Sequence, residues 1–261
     1  MCIVAIVWQV IENMPLCLIS NRDEFYQRPS QALHVWPNSE IIAGQDVQAG
    51  GTWLGLTQSG RWAVITNHRD GHDTRQFEAS RGQIITKFLN SELPPIRFAK
   101  QLEALQQQFS GFHILIGTRQ QAVYMSNRGE APQVLANGVY VLSNTQMGDF
   151  WQKTQHLRTR FCQELLPHLT QKMFNETELE AMVWDILQDQ RQVNPKDLPN
   201  TGIASELEHV LSSSFIQSPY YGTRSSNFLR IYQNNALWYE KLQPLGQQII
   251  RLNVPLQAET N

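Results

Sequence analysis

Residues 2 to 8, Cys2-Ile3-Val4-Ala5-Ile6-Val7-Trp8, leave no polar position on either parity of a strand. A β-branched run of this kind needs apolar cover on both faces, so the chain has to build layers on each side of its first strand. Glu12-Asn13-Met14-Pro15 reads as a turn, and Leu16–Ser20 as a returning strand that ends at the polar string Asn21-Arg22-Asp23-Glu24. Gly50-Gly51 opens a further hairpin, in which Thr52–Thr57 and Arg61–Thr66 flank the short Gln58-Ser59-Gly60 loop. Phe112–Ile116, Ala122–Ser126, Val139–Leu142, Phe228–Gln233 and Leu237–Lys241 complete the predicted strands. Helical spacing appears over Gln83–Leu89, Ile96–Leu105, Asp149–Leu169 and Glu176–Gln188. Strands that come in hairpins rather than alternating with helices predict an α+β fold with largely antiparallel sheets.

At 261 residues the chain is long enough to bury a core without staples, and we expect one domain over residues 1–261. The formal net charge of −2 argues against a nucleic-acid partner. No apolar run reaches the roughly 20 residues of a membrane helix, and the short run Ile3–Trp8 with no basic start is unlike a signal peptide. A soluble cytoplasmic protein is the expectation. Three cysteines without a CxxC pair suggest neither a disulfide frame nor a thiolate metal site.

The residue with most chemical content is the second. Met1 followed by a small residue is a context in which the initiator methionine is removed. Cys2 would then carry a thiol beside a free α-amine, whose reference pKa of about 7.7–8.0 suits a general base at neutral pH. The other reading is a small buried cysteine. Asn21 and Asp23 share one face of a strand, Arg22 and Glu24 the other, and a carboxylate beside an α-amine orients it. Asn67 and Asn144 each follow a predicted strand, where an amide N–H can donate to an oxyanion or simply start a turn. His68 and Arg69 follow Asn67 and are placed at the same mouth. Arg224, within Tyr221-Gly222-Thr223-Arg224-Ser225, offers a charged fork for a carboxylate or a thiolate. His113, inside an apolar strand, reads as packed.

Together, Cys2, Asn21-Arg22-Asp23-Glu24, Gly50-Gly51-Thr52-Trp53-Leu54-Gly55, Thr66-Asn67-His68-Arg69, Ser80-Arg81-Gly82, Leu142-Ser143-Asn144 and Tyr221-Gly222-Thr223-Arg224-Ser225 resemble the NRDE family, the family of transport and Golgi organisation protein 2. That family in turn resembles the N-terminal-nucleophile hydrolases of the cholylglycine hydrolase and penicillin V acylase group. The resemblance implies a four-layer αββα sandwich and hydrolysis of a small non-peptide amide through a thioester on Cys2. It implies Asp23 as partner of the α-amine, Asn67 and Asn144 as oxyanion donors, and an aromatic-x-Gln continuation at Phe150-Trp151-Gln152. It leaves Arg224 as a catalytic candidate and Asn21, Arg22, His68 and Arg69 as substrate-binding ones. Where the acylases carry an arginine before Asn-x-Asp, this chain has Ser20. No cofactor or metal is expected, and the partner is a small molecule with an apolar part. The family also admits a different class of function, carriage of haem or of a lipid or acyl-CoA on the same scaffold, with Cys2 or His68 as iron ligand.

Overall fold

The computed structural model describes residues 2–77, 79–129, 131–171, 174–243 and 248–258, so Met1 and any statement about its removal lie outside the described residues. The chain begins with β1 (Cys2–Ile11), β2 (Met14–Phe25), β3 (Ser30–Val35), β4 (Ile41–Asp46), β5 (Leu54–Thr57) and β6 (Trp62–Asn67). Two helices follow, α1 (Gly82–Leu89) and α2 (Pro95–Ala104), then β7 (Phe112–Gly117), β8 (Ala122–Ser126), β9 (Gln133–Val134) and β10 (Gly138–Leu142). The helical stretch contains α3 (Gln152–Arg160), a π turn at Phe161–Leu165, α4 (Leu166–Leu169), α5 (Glu176–Leu187) and α6 (Ser205–Val210). The chain closes with β11 (Tyr221–Ile231), β12 (Asn235–Leu242) and β13 (Ile249–Pro255).

Two antiparallel sheets result. One has the order β10-β1-β2-β11-β12-β13, and the other runs β3 to β9 in sequence order. Side-chain parity shows how they stack. Val4, Ile6 and Trp8 of β1 join Leu16 and Leu18 of β2 and Leu54, Leu56, Trp62 and Leu115 of the second sheet in one apolar cluster. The opposite parity, Ile3, Ala5 and Val7, packs on Leu157, Phe161 and Leu165 and on Val183 and Leu187 of α5. Ala63, Ile65 and Ile114 of the second sheet meet Ile84, Ile85 and Phe88 of α1 and Ala99 of α2. The order is helices, sheet, sheet, helices: an α+β sandwich, with β1 buried on both faces as its composition requires. Among the described residues no helix is long and apolar enough to cross a membrane.

Three differences from the sequence reading follow from pairing. The polar string at 21 to 24 does not end β2. The strand continues to Phe25 because β11 pairs with it from Leu16 to Phe25. The Tyr221–Ser226 motif therefore lies inside β11 rather than before it. The strands β3, β4 and β13 went unpredicted: β3 is half-buried or exposed except at Leu33, β4 has only the short apolar run Ile41-Ile42-Ala43 before Gly44, and β13 is half-buried or exposed except at Val254.

A glycine contact between the two sequence motifs shapes the site. A Cβ on Gly51 would stand 2.5 Å from the backbone carbon of Gly82, so only glycine lets the 50–53 loop reach the start of α1. A Cβ on Gly44 would likewise stand 2.6 Å from the Trp53 ring.

Candidate active site

Cys2 opens β1 opposite Arg22 of β2. Directly opposed residues of an antiparallel pair share a face, so the Cys2 thiol and the Arg22 guanidinium emerge on the same side. That side is a pocket with about 130 Å³ of free space, lined by Cys2, Arg22, Trp53, Asn67, Arg81 and Gly82 among others. Cys2 is 8 % exposed. Burial pushes its thiol up, and the Asp23 carboxylate pushes the same way. Arg22 and the Asp23 backbone amide pull it down. A thiol held up in this way stays protonated until a base takes its proton.

Asp23 also borders the pocket and is 1 % exposed. Burial raises its carboxyl, while the Lys153 ammonium opposes the rise and the Thr223 hydroxyl donates to Oδ1 at 2.8 Å. Lys153 lies at the start of α3, on the far side of the strand ends from Arg22. It is buried, donates to the Leu211 carbonyl at 3.3 Å, and burial lowers its ammonium to about 8.

Asn67 ends β6 and brings its half-buried side chain to the Cys2 pocket. Its backbone is held by a clip between the two sheets. Asn144 Nδ2 donates to the Asn67 carbonyl at 2.9 Å, Thr66 Oγ1 donates to the Ser143 carbonyl at 2.5 Å, and Ser143 Oγ donates to the Cys2 carbonyl at 3.3 Å. Asn144 thus sits beside the site but is fully buried, with its amide given to a backbone carbonyl. Its geometry is that of a positioning residue.

The remaining sequence candidates are placed elsewhere. Asn21 faces the helical layer, where Nδ2 donates to the Leu187 and Ser214 carbonyls and Oδ1 accepts from Ser226, so it has no access to the pocket. His68 turns into the second sheet, its Nδ1 3.0 Å from His113 Nε2, and His113 in turn meets the Tyr124 hydroxyl. Arg69 lines a different pocket with Trp151 and Lys153, and pairs with Glu208 at 2.5 Å. Arg224 donates to the Phe25 and Arg28 carbonyls and lines a neighbouring space behind Arg22. These four are corrections to the expected site. In each case the strand parity or a local partner turns the side chain away from Cys2.

Arg22, expected among the substrate-binding residues, lines the Cys2 pocket: the parity that separates it from Asp23 is the parity that gives it to Cys2. Its guanidinium stacks over Trp53 at 4.1 Å. Two residues carried a usable signal that sequence reasoning did not convert. Lys153 precedes Leu157 by four and Phe161 by eight, which puts a cation on the buried stripe of the helix. Arg81 stands within Ser80-Arg81-Gly82 with no assigned role.

The family model described as Transport and Golgi organisation 2 matches residues 1–241. A Transport and Golgi organization 2 homolog from Mus musculus is 30% identical over 261 residues, covering 90% of this chain and 89% of the relative. The Bos taurus homolog is 28% identical over 257 residues, covering 90% and 89%. Among solved structures, a mutant conjugated bile acid hydrolase from Clostridium perfringens aligns with a TM-score of 0.46 at 9% identity, covering 96% of this chain and 92% of its own. A Caenorhabditis elegans N-acylethanolamine-hydrolyzing acid amidase ortholog aligns with a TM-score of 0.46 at 14% identity, covering 83% and 100%.

Proposed function

The chain belongs to the Transport and Golgi organisation 2 family, and on that premise we propose that it is a cysteine amidohydrolase of the N-terminal-nucleophile type acting on a small non-peptide amide. The observation that carries this reading is the convergence of Cys2, Arg22 and Asn67 on one pocket at the end of β1. Once Met1 is removed, the α-amine of Cys2 takes the thiol proton, directly or through a water. The thiolate sulfur then bonds to the amide carbonyl carbon, and the tetrahedral oxyanion accepts from the Asn67 amide. Collapse breaks the C–N bond, and the ammonium returns its proton to the leaving nitrogen. Water hydrolyses the resulting thioester by the same proton route. Asp23 serves as the buried carboxylate that orients the amine, with the Lys153 ammonium favouring its charged form.

A thiol raised by burial suits a mechanism in which the base acts during attack, since little thiolate stands ready beforehand. Haem carriage on His68 does not fit the residues as well, since its Nδ1 is engaged with His113 at 3.0 Å, which leaves Cys2 as the iron-ligand candidate of that alternative. A screen of N-acyl amides, with Cys2→Ala as control and intact mass to follow Met1, tests the proposal. Turnover that Cys2→Ala abolishes supports it. Turnover retained in Cys2→Ala, or a mature protein that keeps Met1, overturns it.

A further inference from the structure

Arg22 is 4 % exposed, and its Nη1 is buried with no hydrogen-bond partner among the described residues. A buried guanidinium N–H left without an acceptor costs free energy that a bound acceptor returns. The other cations of the pocket differ from it. Arg28 is matched by Asp46 at 2.8 Å and by Glu24 at 3.9 Å, and Asp23, the third carboxylate of the lining, accepts from the Thr223 hydroxyl at 2.8 Å. Glu240, on the far side of Arg22, accepts from the Leu33 amide at 2.5 Å. Arg81 donates through Nη1 to the Gly111 carbonyl at 3.0 Å and meets no carboxylate within ion-pair distance among the described residues.

Arg81 and Gly82 also form the start of α1, which reaches the pocket because Gly51 admits the backbone contact. That helix has no side-chain cap and no acidic residue in its first turn, so among these residues nothing offsets the positive end of its dipole. A helix start, an arginine at its N-cap with no carboxylate within ion-pair distance among the described residues, and a second arginine with an unused buried donor all line the pocket that holds the thiol.

We propose that this pocket holds an anion subsite, in which Arg22, Arg81 and the N-terminus of α1 receive a carboxylate or phosphate group of the substrate. The inference rests on the amidohydrolase reading and narrows it: the scissile amide belongs to an anionic molecule, with the charge only a few bonds from the carbonyl. Guanidinium groups suit both oxyanions, planar or tetrahedral, and a helix start accepts either.

The test separates anion binding from turnover. Cys2→Ala protein is titrated with acetate and with inorganic phosphate, following the Gly82 backbone amide by nitrogen-15 NMR. A saturable shift is expected, with affinity falling roughly ten-fold or more in Arg22→Met and in Arg81→Met, and less in Arg22→Lys. Whichever probe binds more tightly identifies the anion class. Should Arg22→Met fail to fold, Arg81→Met and Arg22→Lys carry the comparison. The absence of a saturable Gly82 shift, or one that these variants leave unchanged, overturns the subsite. In wild type, Cys2 alkylation by iodoacetate is expected to be favoured over iodoacetamide relative to a free thiol, and the preference is lost in Arg81→Met. A Cys2 that neither reagent modifies, together with intact phosphate binding in Cys2→Ala, would sink the nucleophile and leave the subsite standing.

Discussion

The ends of β1 and β2 separate two pockets that treat buried charge in opposite ways. On the side of Arg69 the cations are answered from within the chain. Arg69 pairs with Glu208, its Nη2 donates to Asn144 at 3.3 Å, and Thr201 donates to the same glutamate. Its Nε lacks a partner among the described residues, and Lys153 shares the region with Asp23 as its strongest opposing charge. On the side of Cys2, Arg22 has an aromatic face and no carboxylate within ion-pair distance among the described residues. The first arrangement has a carboxylate of the chain against its guanidinium and holds the fold; the second has none among the described residues and is completed by something that binds. Buried polar groups in one fold therefore need separate readings, according to whether the chain supplies the acceptor.

The largest expected effect breaks that contrast from the satisfied side. Arg69→Met leaves Glu208 buried without its cation, and a cost of about 3–5 kcal/mol in unfolding free energy is expected by urea titration. Arg22→Met removes a cation that has no such partner, and its stability is expected to stay within about 1 kcal/mol of wild type. Equal losses at the two sites would dissolve the distinction. A pH series sharpens it. Lys153 loses its proton near 8 in the native state, whereas an unfolded lysine holds its own to about 10.4. Below 8 the native state carries the whole cost of charging Lys153. Between those values the unfolded chain binds more protons, so this group makes stability rise with pH. Relative to Lys153→Met, wild type is expected to gain about 2–3 kcal/mol across that window, measured by urea unfolding near each end. A flat difference would show that the lysine is hydrated in solution.

How much of this could be read beforehand follows the physics of each feature. The two-sided burial of β1 was legible because both parities of residues 2–8 are apolar. The helices at α1, α2 and α5 were legible from their stripes. The pairing of Asn21–Glu24 with β11 was not, because it joins residues about 200 positions apart and no local pattern encodes it. The same long-range pairing determines which of the four polar side chains meets Cys2, so parity within β2 was readable while its direction was not. Asn67 kept its expected place because a strand end is a local property. His68 lost its place because its partner, His113, lies on another strand and pulls the ring toward the second sheet.

The smallest expected effect concerns how Arg22 is held. The Trp53 ring is fixed between the guanidinium and Gly44, whose missing Cβ makes room for it. Stacking on a tryptophan face orients the cation without using up its N–H donors, which a carboxylate partner would consume. Trp53→Leu removes the face and frees the side chain to adopt other rotamers. Anion affinity at the Gly82 amide is expected to fall about five-fold, the equivalent of about 1 kcal/mol. Trp53→Phe keeps a ring and is expected to lose less, and neither change reaches the Arg69–Glu208 pair, so Arg69→Met costs the same in either background. An affinity unchanged in Trp53→Leu would mean that the strand pairing alone aims Arg22. The contrast between the pockets would then rest on the β1–β2 register rather than on the tryptophan.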